Sequence, residues 1–73
     1  MKIKFLKDSE VEIVVDFDEE TEEATTENET FLRGEVHDVD LLNERDDSID
    51  IQFGCGDCCY GLRKNCIEII ERD

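Results

Sequence analysis

Residues 48–70, SIDIQFGCGDCCYGLRKNCIEII, decide the fold. Ile49, Ile51 and Phe53 alternate with Asp50 and Gln52, the period-two signature of a half-buried strand. Gly54 to Asp57 supplies a turn that closes a hairpin onto Cys58–Leu62. Arg63, Lys64 and Asn65 form a short crossing, and Ile67, Ile69 and Ile70 make a last strand. The stretch therefore reads as the closing half of a small β-barrel.

The same periodicity extends backward. Ile3 and Phe5, then Val11, Ile13, Val15 and Phe17, alternate with polar residues, with Val14 breaking the pattern. Asp8 and Ser9 fit either a turn between two strands or a bend in one. Phe31 to Leu42 starts with an apolar pair, passes Gly34 and alternates imperfectly through Val36, Val39 and Leu41, which predicts a strand with a bulge; Asn43 to Asp47 reads as a turn. Between these lies Asp18–Thr30, DEETEEATTENET, with Ala24 as its one apolar residue and no cation. It reads as a long acidic loop, because a helix there would place Glu19 and Glu23 four apart and have no apolar stripe to dock. Five or six short strands and no helix specify an all-β fold, and at 73 residues a barrel is favoured because closure removes sheet edges. The whole chain, residues 1–73, is one domain.

Composition sets the bounds. Leu, Ile, Val and Phe total 21 of 73 residues, enough for a folded chain with a thin core. Against 8 basic residues stand 22 acidic ones, a formal charge of −14, and no Lys or Arg occurs between Asp8 and Glu29. Such a surface repels nucleic-acid phosphate and anionic lipid, so direct nucleic-acid and membrane binding are disfavoured and neither is expected. It leaves open a basic protein partner, or mimicry of nucleic acid towards a DNA-binding protein. The N-terminal apolar run stops at Leu6, short of a signal-peptide core, so the expected compartment is the cytoplasm with reduced thiols, and the charge suits a soluble monomer.

The order of pieces resembles an SH3-like barrel from Val11 to Ile70. Val14, Val15, Asp16, Phe17 and Asp18 resemble the strand that enters the family's long RT loop. Phe31, Arg33, Gly34, Glu35 and Val36 resemble its diverging turn, and Gly61, Leu62, Asn65, Cys66 and Ile67 resemble its crossing and final strand. The wording is also similar to small acidic barrels of unassigned function from bacterial phages and prophages. The resemblance implies a non-catalytic protein-interaction module. It does not carry the proline-peptide groove, whose aromatic walls are missing: the chain has no Trp, Arg63 stands at the family's proline and Cys66 at its tyrosine, leaving Phe17. The acidic loop and the Cys55–Tyr60 hairpin are the parts such a fold does not need. Phe17, Glu19, Glu20, Glu22, Glu23 and Tyr60 are thus the candidate partner contacts.

Four cysteines carry the remaining chemistry. Cys55-Gly56-Asp57-Cys58 has the spacing at which two thiolates reach one zinc, with Cys59 and Cys66, or His37, to complete the set. Adjacent strand residues Cys58 and Cys59 point to opposite faces, so a zinc-stapled barrel is the alternative reading and inert thiols the first. Redox chemistry is disfavoured, since Asp57 and the overall negative charge stabilise the protonated thiol. His37, beside Glu35 and Asp38, reads as an exposed strand residue. Asp16, Asp18 and Glu20 alternate oxygen ligands outside any EF-hand register. No carboxylate pair, phosphate loop or nucleophile elbow points to an enzyme. No cofactor is expected.

Overall fold

The structure, a computed structural model, describes residues 1–72. Seven antiparallel strands run in the order β3-β2-β6-β5-β4-β1-β7: β1 (Lys2–Phe5), β2 (Ser9–Asp18), β3 (Glu23–Phe31), β4 (Val36–Glu44), β5 (Ser48–Phe53), β6 (Cys58–Arg63) and β7 (Ile67–Glu71). A single 3-10 turn, Lys64–Cys66, links β6 to β7 at the expected crossing.

Why these segments become strands follows from the residues they turn inward. Ile3 and Phe5 of β1 and Ile49 and Ile51 of β5 are wholly buried, and Ile13, Val39, Cys59, Leu62 and Ile67 join them in one cluster. Because strands from both ends of the order feed this cluster, the sheet curls round it. β4 is the shared element, pairing β1 through Lys4↔Val36 and β5 through Leu41↔Ile51.

Closure does not occur. The sheet is open, with β3 and β7 as its edges, and it has seven strands where five or six in a closed barrel are expected from sequence. The physical reason lies in β3. The segment 18–30, expected as a loop, is mostly strand: Asp18 pairs with Glu23 across the turn 19–22, where Glu22 takes the left-handed conformation (φ 56°), and the ladder continues to Ser9↔Phe31. An edge strand needs no apolar face. Backbone pairing and the β-branched Thr25, Thr26 and Thr30 suffice, and only Phe31 is buried. Its Glu23, Glu27 and Glu29 then blunt the edge by charge, which does what closure would do.

Other boundaries move less. Lys2–Phe17 is two strands separated by a bend at Leu6–Asp8. Val14 breaks the alternation because the pairing jumps from Val14↔Thr26 to Asp16↔Thr25, leaving Val15 as the extra residue of a bulge. β4 runs on through Glu44, its register shift lying between Leu41 and Asn43, so the turn expected at 43–47 shrinks to Arg45–Asp47. Among the described residues no helix is long and apolar enough to cross a membrane.

Candidate functional site

Two places on this frame carry side chains that the core does not use. The first is the β2–β3 arm. β6 meets β2 only at Ile13↔Cys59 and Val14↔Cys58, so everything from Asp16 round the turn to Ala24 stands beyond any third strand. Asp16 and Asp18 serve the arm itself, accepting the Phe17 and Glu20 amides at 2.9 and 3.0 Å. Phe17 is 56 % exposed, and Glu19, Glu20, Glu22 and Glu23 are exposed around it at the tip. Five of the six candidate contacts thus share one projection.

Tyr60, the sixth, lies elsewhere. From the Ile13–Cys59 crossing, β2 runs one way to Phe17 while antiparallel β6 runs the other way to Tyr60. Tyr60, 58 % exposed, is on the wall of a cleft of about 400 Å³ between Lys7–Glu12 and Cys59–Arg63, with Cys66 at its end. The Cys58 thiol beside its hydroxyl holds the phenol above its ordinary range. Apolar periodicity did not mark this cleft, because it lies beside a bulge whose one local sign is Gly61 inside a strand. Ile49 faces Leu62 and Ile51 faces Cys59, leaving Asp50 opposite both Tyr60 and Gly61. Gly61 adopts φ 73°, and its amide donates to Asp50 Oδ1 at 2.8 Å. Arg45 grips the same carboxylate with both terminal nitrogens, Nη1 to Oδ2 at 3.1 Å. These hydrogen bonds, Arg45 first, hold the Asp50 carboxyl below its usual range.

A second, smaller hollow of about 300 Å³ is lined by His37, Phe31, Phe53 and the 54–57 turn. His37 is not the exposed strand residue expected: its side chain is 27 % exposed. Phe5 and Phe31 stack at 4.6 Å, Phe31 and Phe53 at 5.5 Å, and the imidazole stands edge-on to all three rings at 5.0–5.9 Å. Its Nε2 is shielded from solvent, 3.4 Å from Glu35 Oε1 without hydrogen-bond geometry. Aromatic packing rather than charge places it.

The cysteines do not assemble. Cys59 is buried in the core, where loss of solvent and then the Asp50 charge push its thiol up to about 11. Cys58 on the other face directs Sγ to the Gly56 carbonyl at 3.7 Å, Cys66 directs its own to Asn65 Oδ1 at 3.4 Å, and Cys55 is exposed on the turn. Among the described residues no three His, Cys, Asp or Glu side chains converge as a metal-holding group.

Compared with known proteins, the chain matches no family model, no curated protein and no solved structure. The geometry alone therefore carries the functional reading. It offers contact surfaces: a carboxylate-tipped arm and a cleft with an aromatic wall.

Proposed function

We propose that the chain is a non-catalytic, SH3-like module that works in the cytoplasm, as a monomer, by contact with a basic protein. The order of elements supports the SH3-like reading: a first strand, a long hairpin, the Phe31–Glu35 turn, three antiparallel strands, a 3-10 crossing and a last strand. That turn is locked by Glu35, whose carboxylate accepts the Leu32 amide, and by the Gly34 amide donating to the Phe5 carbonyl at 2.8 Å. The observation that carries the contact reading is the arm. An exposed phenylalanine and four glutamates stand at the end of the hairpin that projects beyond its pairing with β6, and a chain of 22 acids favours a cationic partner.

The test is site-directed photo-cross-linking with benzoylphenylalanine at Phe17, at Tyr60 and, as control, at Leu42 on β4. Adducts to a common protein at the first two positions and not the third are expected. Equal yield at all three positions, or none at Phe17, ends the reading.

A second reading, an acidic stand-in for nucleic acid, is favoured by one feature. The β2–β3 ribbon carries Glu10 and Glu12 on one face and Glu27 and Glu29 on the other. It requires a complex whose affinity falls steeply with added salt; a salt-insensitive complex counts against it.

A further inference from the structure

We infer that the cleft between β2 and β6 takes an extended basic segment of a partner protein as an added strand on the edge of β2. The inference rests on the protein-contact reading above and names the partner's conformation and chemistry at one site. Only Ile13 and Val14 of β2 are paired to β6, although β2 begins at Ser9 and β6 continues to Arg63. Ser9–Glu12 and Tyr60–Arg63 therefore flank a gap of about 400 Å³ where a ladder would otherwise run. Alternate strand residues direct their N–H and C=O groups to opposite sides, so those of Ser9–Glu12 turned away from β3 open onto this gap. β6 does not close it, because its bulge turns the Gly61 amide toward Asp50 on β5.

The lining specifies the occupant. Val11 and Cys66, half-buried, and Leu62, buried, form an apolar floor, while Glu10 and Glu12 stand exposed on the β2 rim. Lys7 and Arg63, also exposed, line the end farthest from the Ile13–Cys59 crossing, so the cations of an occupant belong beside Glu10 and Glu12 and not at that end. Asp8 is already engaged, its Oδ1 accepting the Arg33 amide at 2.8 Å. A strand alternates its side chains with period two. A segment of alternating small apolar residues and Lys or Arg thus sets one face on the floor and the other beside Glu10 and Glu12. Nucleic acid is disfavoured by Glu10 and Glu12 and by the formal charge of −14, although Lys7 and Arg63 also line the cleft.

The experiment uses the full chain and a fluorescein-labelled peptide of about nine alternating Lys and Val residues, long enough to span Ser9–Glu12. Binding is read by anisotropy and mapped by amide shifts, which should centre on Ser9–Glu12 and Tyr60–Arg63. Backbone N-methylation at every second residue removes the hydrogen bonds to one side only. One methylation pattern should weaken binding roughly tenfold or more and the alternate pattern less than about threefold. The variant E10K/E12K, both positions being exposed, should weaken it roughly tenfold or more. No binding at about 1 mM peptide, equal effects of the two methylation patterns, or an undiminished affinity for E10K/E12K overturns the inference. If that variant proves unfolded by circular dichroism, the methylated peptides decide on the native chain. Shifts confined to Phe17–Glu23 refute the cleft and leave the arm reading standing. Cross-links absent at Phe17 with binding intact in the cleft do the reverse.

Discussion

Replacing Phe31 with leucine removes the middle ring of a three-ring stack while keeping most of the buried volume. Phe31 is 4 % exposed and lies between Phe5, at 4.6 Å and 2° between planes, and Phe53, at 5.5 Å and 9°. Each such pair contributes about 0.5–1.5 kcal/mol beyond the area it buries, so losing both costs about 1–3 kcal/mol. Imperfect refilling by leucine adds up to about 1.5 kcal/mol. A chain of 73 residues holds a total of roughly 4–11 kcal/mol. F31L should therefore remain folded with a large share of its stability gone, its midpoint lowered roughly 4–8 °C for each kcal/mol. The control is Phe17→Leu on the exposed arm, expected within about 0.5 kcal/mol of the parent. Thermal and urea unfolding followed by far-UV circular dichroism measure both. If F31L melts within a couple of degrees of F17L, the stack is not what centres the fold and the burial argument fails with it.

Three further outcomes can be checked directly. Hydrogen bonds from Arg72 and then Lys64 lower the Glu44 carboxyl to about 2 from an ordinary 4.5, so this cluster stabilises the native state above pH 4.5 and fades as pH falls toward 2. Glu44→Gln should lower the melting point at pH 7, and the gap between variant and parent should close near pH 2; a gap that persists there removes the ion pairs from the explanation. Gly61 has φ 73° with open space where a Cβ would stand, so Gly61→Ala should cost about 1–2 kcal/mol from backbone strain alone and Gly61→Asn less, read from urea midpoints. A cost for alanine no larger than for asparagine would contradict the bulge geometry. In native protein, iodoacetamide should modify Cys55, Cys58 and Cys66 ahead of Cys59, whose buried thiol sits near 11, with the fourth adduct appearing only in denaturant by mass spectrometry. Early labelling of Cys59 would mean that β6 opens readily.

The second half of the chain was legible because its apolar residues mark the strands: Ile49 and Ile51 are buried two apart as alternation puts them, and Gly54–Asp57 turns where its residues demand, whereas the burial of Asp50 between them and the three-residue step from Cys59 to Leu62 depart from that period. The opposed faces of Cys58 and Cys59 followed from the same rule. Reasoning from apolar pattern failed at β3, since an edge strand exposes both faces and so has no pattern to read. Its threonines were the available sign. His37 was illegible for another reason: Phe5, Phe31 and Phe53 reach it from three separate strands, and only long-range pairing brings them together. The cleft depends on the bulge at Tyr60–Gly61, for which the sole local hint was a glycine inside a strand.

The open edges and the charge are one problem. An edge strand such as β3, paired on one side only, is a template for another chain, and the commonest other chain in a concentrated solution is a second copy. Two copies meeting along β3 would bring the Glu23, Glu27 and Glu29 of each onto facing strands, and like charges across such a pair destabilise it. The same carboxylates cost nothing against a partner that brings lysine or arginine. On β2 the opening toward β6 is likewise bordered by Glu10 and Glu12, and Ser9–Glu12 have no ladder partner on β6. On the proposed reading, acidity concentrated on these two strands discriminates: it disfavours self-pairing and polyanions, and it favours a cationic strand, which gains from both the unpaired edge and the charge.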